Sequence, residues 1–289
     1  MEIQQSPLYA SYIRSLGWSV ESVEGGQLFI KKFPVFGGFA KLQRTTRLPS
    51  IGTLLPLIRA YQINKLSVEP DAGIPQRTFA LWINKISPHV SLITTAYLPT
   101  KTIRVNLHGS ENDIFTRFTQ AKRRAVRRAE KNQVAVRTSD RIEDLIRVKN
   151  TSAGFLGFIT TSCIDKLWSV FAPRHAEILL AYAPRFSLIT RHRSIRTLGA
   201  VLILFWDNIA YYWIAGATRE GKKLFAPTLL VWEALKVSRR RGMKQFDFVG
   251  VWDERLPKEN HNWKGFTKFK EGFGGKTVYY PISMLRKSI

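Results

Sequence analysis

The sequence predicts a mixed α/β fold in which strands and helices alternate along both halves of the chain. Two apolar runs, 197–206 and 209–217, are joined by an Asp-Asn pair, which is the pattern of a tight antiparallel hairpin. A helix over 227–242 follows, with proline in its first turn and glycine at its end, and a strand over 246–250 comes next. We therefore expect mixed sheets flanked by helices.

The first half repeats this alternation in shorter elements. Ser6 and Pro7 are typical of a helix start, and Gly17 marks the end of that helix. Strands are also predicted in this half over 28–33, 40–48, 65–68 and 102–107, and a helix over 51–64. The last strand of the chain is predicted over 277–283.

A strongly basic helix is predicted to begin at Ser110. Ser110 and Asp113 have the spacing of a capping box. Apolar residues then recur at helical period at Ile114, Phe118, Ala121, Ala125 and Ala129. A cationic run is usually a solvated helix face, but like charges here lie three and four residues apart, where each pair costs roughly a few tenths of a kcal/mol. An anionic partner would relieve this repulsion. The cations are Lys122, Arg123, Arg124, Arg127 and Arg128.

The net charge of +24 indicates a polyanionic partner. Nucleic acid, anionic lipid headgroups and diphosphate-bearing substrates all fit, and the sign of the charge does not choose among them. The five histidines show no metal-ligand spacing and Cys163 is the single cysteine, so we expect no metal, no cofactor and no internal disulfide. Without a secretory signal or a long apolar run, we expect a cytoplasmic protein that is able to touch the inner membrane face.

An aromatic segment near the end of the chain is the most informative stretch. Phe266, Phe269 and Phe273 are three and four residues apart, so a helix would place them on one face, with Lys268 and Lys270 at its sides. Aromatic residues at this spacing belong to a core more often than to a cofactor site. By itself the segment predicts only an aromatic anchor that holds a lysine near a glycine turn.

Three segments of the second half are specific in combination. They are YYWIAGAT at 211–218, APTLLVWEALKVSRRRGMKQFDFVG at 226–250 and GFTKFKEGFGG at 265–275. Together they resemble the FemABX family, the bacterial aminoacyltransferases that add amino acids to the peptide of peptidoglycan precursors. LSVEPD at 66–71 and SPLYASYIRSLGW at 6–18 extend the resemblance into the first half.

The resemblance implies two GNAT-like acyltransferase domains in tandem. One domain would comprise 1–109 and 276–289, and the other 110–275, with the last strand returning to the first domain. The helical arm of the longer relatives has no room in this chain, so the compact type is implied.

The resemblance also implies a set of channel residues. Phe269 and Lys270 match the Phe-Lys pair that lies in the substrate channel of relatives, and Tyr212 and Trp213 match aromatic residues of the hairpin. Glu69 matches an acidic residue before a proline that contacts substrate or serves the amine.

Two features depart from the family pattern. Ala215 stands where some relatives have a second aromatic residue. The lysine and arginine that hold the diphosphate of the acceptor in relatives have no clear match, and Arg14 and Lys31 are the candidates for that role.

The implied reaction joins an aminoacyl-tRNA donor to a lipid-linked or UDP-linked muropeptide. The ester is already reactive, so positioning and charge neutralisation are the main tasks. Lys270 is expected to supply the charge at the oxyanion or at the leaving ribose oxygen, and Glu69 to accept the proton of the amine or to orient the amine. The basic helix would contact the tRNA, and the acceptor amine would attack directly.

Two alternatives remain open. An acyl-CoA N-acyltransferase would need a glycine-rich turn for the pyrophosphate, which the stretch REGKKLFAP at 219–227 lacks. A non-catalytic RNA-binding module would show salt-sensitive RNA affinity and no transfer.

Overall fold

The computed structural model describes residues 1–153, 161–186 and 193–283, which form two compact units. Unit 1 comprises Met1–Thr102, Asp253–Leu256 and the described residues from Thr277 onward. Unit 2 comprises the described residues of Ile103–Trp252 together with Pro257–Lys276. The domain boundaries near 109 and 276 that the resemblance implies stay a prediction.

Unit 1 contains a mixed sheet of five strands. These are β1 (Ser19–Val23), β2 (Gly26–Phe33), β3 (Gly37–Gln43), β4 (Ile63–Glu69) and β5 (Ser91–Ile93), in that order across the sheet. The first three strands are antiparallel hairpin neighbours, whereas β4 and β5 each run parallel to the strand before them. Parallel neighbours need a crossover connection, and helices supply it here.

The helices of unit 1 are α1 (Pro7–Ser15), α2 (Ile51–Ala60) and α3 (Gln76–Ile86). Ser6 and Ser50 cap α1 and α2 by accepting hydrogen bonds from the backbone N–H three residues on. The helix predicted over 51–64 ends earlier because β4 begins at Ile63. The sequence did not predict α3, which starts after Pro75 without a side-chain cap, yet its Phe79 is fully buried in the core of this unit.

Unit 2 holds most of a seven-stranded sheet. Its strands are β6 (Lys101–Asn106), β7 (Ala135–Ser139), β8 (Ala176–Phe186), β9 (Arg193–Trp206), β10 (Ile209–Ala217), β11 (Gln245–Asp247) and β12 (Lys276–Tyr279). The order is β12-β6-β11-β10-β9-β8-β7, and β11 runs parallel to β10 while the pairs from β7 to β10 are antiparallel. The predicted hairpin at Asp207 and Asn208 is confirmed.

The described helices of unit 2 are α4 (Glu111–Thr116), α5 (Gln120–Lys131), α6 (Ile142–Ala153), α7 (Ile164–Phe171), α8 (Arg219–Lys223), α9 (Ala226–Arg240) and α10 (Lys264–Glu271). Buried residues of α9 such as Leu230 and Leu235 pack in a core with the strand residues Val201 and Phe246. None of the described helices has the length and apolar character needed to cross a membrane. The predicted class, mixed sheets flanked by helices, is confirmed.

The basic helix predicted from Ser110 is in fact two helices, α4 and α5. The capping box is confirmed, since the Asp113 N–H donates to Ser110 Oγ and the Ser110 N–H donates to an oxygen of Asp113. Helix α4 ends at Thr116, and α5 begins after Thr119, whose side chain caps it.

This restart changes which face of α5 is buried. Val126 and Ala129 are the buried residues, whereas Ala121 is exposed and Ala125 is half-buried. The predicted apolar stripe is therefore confirmed at Ile114, Phe118 and Ala129 and wrong at Ala121 and Ala125, because it assumed one continuous helix from Ser110.

Candidate active site

Lys270 lies in unit 2, near the end of α10, against the segment that follows β11. Its Nζ donates hydrogen bonds to the main-chain carbonyl oxygens of Phe248, at 2.8 Å, and Gly250, at 2.6 Å. An ammonium has three N–H donors, so these two bonds leave one for a further acceptor. The charged group therefore points into the fold of unit 2 rather than into bulk solvent.

The backbone between the two acceptor carbonyls is strained. Val249 has a φ of 53°, a left-handed conformation that β-branched residues rarely adopt, and Gly250 has a φ of 113°. The Val249 N–H donates to Asp247 Oδ1 at 2.7 Å, and the other oxygen of Asp247 accepts from Arg104 Nε at 2.7 Å. Asp247 thus holds a turn that aims two carbonyl oxygens at one ammonium. Strain of this kind is concentrated at functional sites.

Burial lowers the pKa of the Lys270 ammonium to about 8, and the negative charge of Asp247 opposes part of that shift. The side chain is therefore mostly charged at neutral pH and loses its proton as the pH rises through about 8. A lysine with an ordinary pKa would not titrate in this range.

The aromatic anchor of Lys270 consists of Phe269 and Phe273. The two rings pack edge-on with centroids 5.3 Å apart, and the fully buried Phe273 lies 5.6 Å from the ring of Phe248. Phe266 is 62% exposed and does not belong to the anchor. The expectation that three phenylalanines share one helix face is wrong, because α10 ends before Phe273.

Tyr212 reaches the same aromatic cluster from β10. Its ring lies 5.9 Å from Phe246 and 5.7 Å from Phe248, and burial raises the pKa of its phenol. Lys270, Phe269 and Tyr212 are therefore brought together around Phe248 and its neighbours.

The strands β10 and β11 part next to this cluster. Their parallel pairing ends at Tyr211 and Asp247, whereas β10 continues to Ala217. The register between β9 and β10 also shifts between Tyr212 and Ile214, which places the half-buried Trp213 in a bulge. A strand that outruns its neighbour presents backbone groups along which an extended ligand can lie.

Glu69 lies in unit 1, at the end of β4. It is 6% exposed, and its two carboxylate oxygens accept hydrogen bonds from Gln43 Nε2, at 2.9 Å, and from the Leu98 N–H, at 2.6 Å. These bonds tie the chain before β6 to the end of β4. Glu69 also lines a small pocket in unit 1 that is partly open to solvent.

Arg44 lines the same pocket, although no sequence signal singled it out. It is 5% exposed, its guanidinium carbon lies 3.3 Å from the ring centroid of Tyr280, and its Nη2 donates to the Pro99 carbonyl at 2.6 Å. Neither of these partners carries a negative charge. The pocket therefore holds a buried cation that can meet an anionic group.

Two of the predicted tRNA-binding cations have partners within unit 2. Lys122 Nζ lies 3.7 Å from the ring centroid of Phe269, and burial lowers the pKa of this ammonium to about 8. Arg123 donates to the main-chain carbonyls of Thr116 and Phe118. These two side chains hold α5 to its surroundings.

The other cations of α5 are accessible. Arg124, Arg127 and Arg128 are all exposed, and the guanidinium of Arg128 lies 5.7 Å from the ring of Phe225. The basic surface of α5 therefore consists mainly of these three arginines.

The candidates for binding the acceptor diphosphate, Arg14 and Lys31, lie beside the end of α1. Lys31 Nζ donates to the carbonyl oxygens of Leu16, at 3.2 Å, and Gly17, at 2.8 Å, which satisfies groups that the helix end leaves unpaired. Arg14 is exposed in the last turn of α1. No group of three or more metal-ligating side chains is found in the described part of the chain.

Comparisons with known proteins agree with the fold. The sequence model of the FemAB family matches residues 186–281. The crystal structure of FemX is similar with a TM-score of 0.72 and 14% sequence identity, over 96% of this chain and 90% of that chain. L-PGS from Bacillus licheniformis follows at a TM-score of 0.55 and 10% identity, over 97% and 92% of the two chains. A comparison with curated proteins found no match.

A tandem GNAT protein from the clavulanic acid biosynthesis pathway is also similar, with a TM-score of 0.51 and 12% identity, over 89% of this chain and 77% of that chain. The expected tandem GNAT-like fold is thereby confirmed. The FemAB match covers β10, the turn at Val249 and Lys270, which are the elements of the candidate site. Residues 186–281 therefore match the FemAB family, and the chain as a whole is similar in fold to FemX.

Proposed function

We propose that this protein transfers an amino acid from an aminoacyl-tRNA to an amine on the peptide stem of a peptidoglycan precursor, which forms the interpeptide bridge. The observation that carries the proposal is the inward-pointing ammonium of Lys270 beside the parting strands β10 and β11. An activated ester needs positioning and a positive charge more than it needs a covalent nucleophile.

The proposed step is a direct aminolysis. The acceptor nitrogen attacks the ester carbonyl carbon, the bond from that carbon to the ribose oxygen breaks, and an amide bond forms. The amine loses one proton and the ribose hydroxyl gains one, so the reaction is balanced. The remaining N–H of Lys270 would stabilise the oxyanion or the leaving ribose oxygen.

Glu69 has the orienting role of the two roles that the sequence left open. Hydrogen bonds from Gln43 Nε2 and the Leu98 N–H fix its carboxylate in the wall of the unit 1 pocket, and the lone pairs that these bonds leave would accept from an amine of the acceptor. Arg44 offers this pocket a cation for a carboxylate or phosphate of the acceptor.

The donor tRNA would be met by the exposed arginines of α5. Each phosphate that an arginine contacts releases counterions, so RNA binding should weaken steeply with salt. The net charge of +24 favours the same kind of partner.

The test supplies the full chain with charged tRNA and with UDP-linked and lipid-linked muropeptides, and follows the muropeptide mass. A mass gain of one aminoacyl group that is lost in Lys270→Met and retained in Lys268→Met supports the proposal. Lys268 is an exposed lysine on the same helix and is the matched control.

Three other results would contradict the proposal. Acetylation by acetyl-CoA in the same assay would favour an acyl-CoA N-acyltransferase. Transfer to phosphatidylglycerol instead of the muropeptide would indicate a lipid acceptor. Salt-sensitive tRNA binding without transfer to any acceptor would indicate a non-catalytic RNA-binding module.

A further inference from the structure

An apolar hairpin tip projects from unit 1 between β2 and β3. Its three-residue loop is Pro34, Val35 and Phe36, and the strand residue Phe33 precedes it. Val35 is 83% exposed, Phe36 76% and Phe33 41%, and the first two are the most exposed large apolar side chains in the described ranges. Single exposed apolar residues need no explanation, but three within four positions do.

The hairpin tip is braced by its neighbour strand. Gly37 closes the loop with a φ of 73°, and an added side chain there would overlap the Gln62 carbonyl and the Asn64 side chain at about 2.9 Å. Asn64 Nδ2 donates to the Phe36 carbonyl, and the Gly38 N–H donates to the Gln62 carbonyl at 2.7 Å. The apolar side chains are therefore displayed on an ordered turn, so little conformational entropy is lost when they are buried.

Exposed cations gather at the same end of the unit 1 sheet. The tip is paired with the start of β4, and the parallel crossovers bring the ends of α2 and α3 to this edge. The end of α1 is held here by Lys31. The exposed cations at this end are Arg14, Lys32, Arg59, Lys65 and Lys85.

The acidic side chains of the same sheet lie elsewhere. Glu69 and Asp71 are at the opposite end of β4, and Glu24 is at the far end of β1, where it accepts from the Thr53 hydroxyl at the start of α2. Glu21 is engaged by the Tyr61 hydroxyl. The edge around the hairpin tip is thus apolar at its centre and positively charged around it.

We propose that this edge docks on an anionic lipid bilayer, with Val35 and Phe36 inserted among the acyl chains and the surrounding cations on the headgroups. A stable protein interface buries about 800 Å² of each partner, far more than a convex tip of three side chains offers. A bilayer accepts such a tip, and basic residues at its surface add attraction to anionic lipids. This inference does not depend on which group the enzyme transfers.

The experiment is sedimentation of the full chain with vesicles of phosphatidylglycerol and phosphatidylcholine in equal parts. The protein should bind these vesicles and bind pure phosphatidylcholine at least about tenfold more weakly. The variant Val35→Ser/Phe36→Ser should bind the mixed vesicles about tenfold more weakly than the original chain, because each inserted side chain contributes to partitioning.

Ile195→Ser is the matched control, since Ile195 is 66% exposed on β9 in unit 2 and belongs neither to the hairpin tip nor to the cations around it. It should bind like the original chain. Equal losses in both variants, or unchanged binding of the tip variant, would overturn the proposal. So would co-sedimentation of the original chain with neither kind of vesicle. Circular dichroism of the tip variant checks that lost binding does not come from unfolding.

Discussion

The surroundings of Lys270 in unit 2 and of Glu69 in unit 1 differ in how the fold holds each charged group. Glu69 accepts one donor on each carboxylate oxygen, both from its own unit. Lys270 has two carbonyl acceptors for three donors, a pKa lowered to about 8, and a strained turn in front of it. The lowered pKa and the strained turn mark Lys270 as the group suited to chemistry, whereas two neutral donors of its own unit hold the Glu69 carboxylate in place.

The sharpest test of this contrast is Lys270→Met, which removes the charge and keeps much of the side-chain volume. The rate constant kcat/KM for aminoacyl transfer should fall about 100- to 1000-fold, the range found when a donor to a developing oxyanion is removed. Lys268→Met should stay close to the original rate. Steady-state kinetics with charged tRNA measures both rates. Equal kcat/KM values for the two variants would show that Lys270 has no catalytic role.

The same comparison predicts a stability effect at Glu69. Glu69→Ala leaves the Gln43 amide and the Leu98 N–H without their acceptor, so the free energy of unfolding should fall by about 2–4 kcal/mol. Asp71→Ala, which removes one local bond to the Gly73 N–H, should cost at most about 1 kcal/mol. Urea unfolding measures both. If Glu69→Ala left the free energy of unfolding unchanged but strongly lowered the rate of aminoacyl transfer, the result would instead support proton transfer by Glu69.

The pH dependence separates a charge role from a base role for Lys270. Because the folded pKa is lowered to about 8, raising the pH through that value removes the charge, and the rate should fall by up to about tenfold per pH unit relative to Lys270→Arg. The arginine variant keeps its charge and corrects for titration of the attacking amine. If the transfer rate of the original chain divided by that of Lys270→Arg rose with pH, neutral Lys270 would be acting as a base.

Stability should change in the opposite direction to activity. Between about pH 8 and pH 10 the unfolded chain still binds the Lys270 proton and the folded chain does not, so folding becomes more favourable as pH rises. Compared with Lys270→Met, the gain should approach about 1.4 kcal/mol per pH unit. Urea unfolding across this range measures the gain, and parallel curves for the two proteins would contradict the buried placement.

The smallest expected effect concerns α5, where cations with and without internal partners can be compared directly. Arg124→Gln/Arg127→Gln should lower tRNA affinity several-fold and reduce the salt dependence by about one to two contacts. Arg123→Gln, which breaks bonds to two carbonyls, should change stability more than RNA affinity. Filter binding at several salt concentrations measures the effect. If tRNA affinity depended on salt concentration equally in both variants, α5 would not be part of the RNA-binding surface.

Local signals in the sequence predicted much of the fold. The capping box at Ser110 and the hairpin at Asp207 and Asn208 each rest on residues that interact with near neighbours. The break at Thr119 was missed because Ile114 and Phe118 before it and the alanines after it continue one helical pattern. Helix α3 was missed because its start has no capping side chain.

The candidate site shows the same division. The family resemblance pointed to Lys270, Phe269 and Tyr212, and unit 2 brings them together. Their partners could not be predicted, since the acceptors of Lys270 are main-chain carbonyls, which every residue type carries. Arg44 was missed for a related reason, because its burial depends on Tyr280, which is distant in sequence.

The turn at Val249 affects what substitutions around Lys270 can reveal. Since the oxygens that hold Lys270 belong to the peptide chain, no exchange of side chain at Phe248 or Gly250 can delete them. A saturation library would report the lysine as indispensable and its two partners as merely structural. Substitutions at these two positions would instead act through the buried aromatic packing of Phe248 and the left-handed backbone of Gly250.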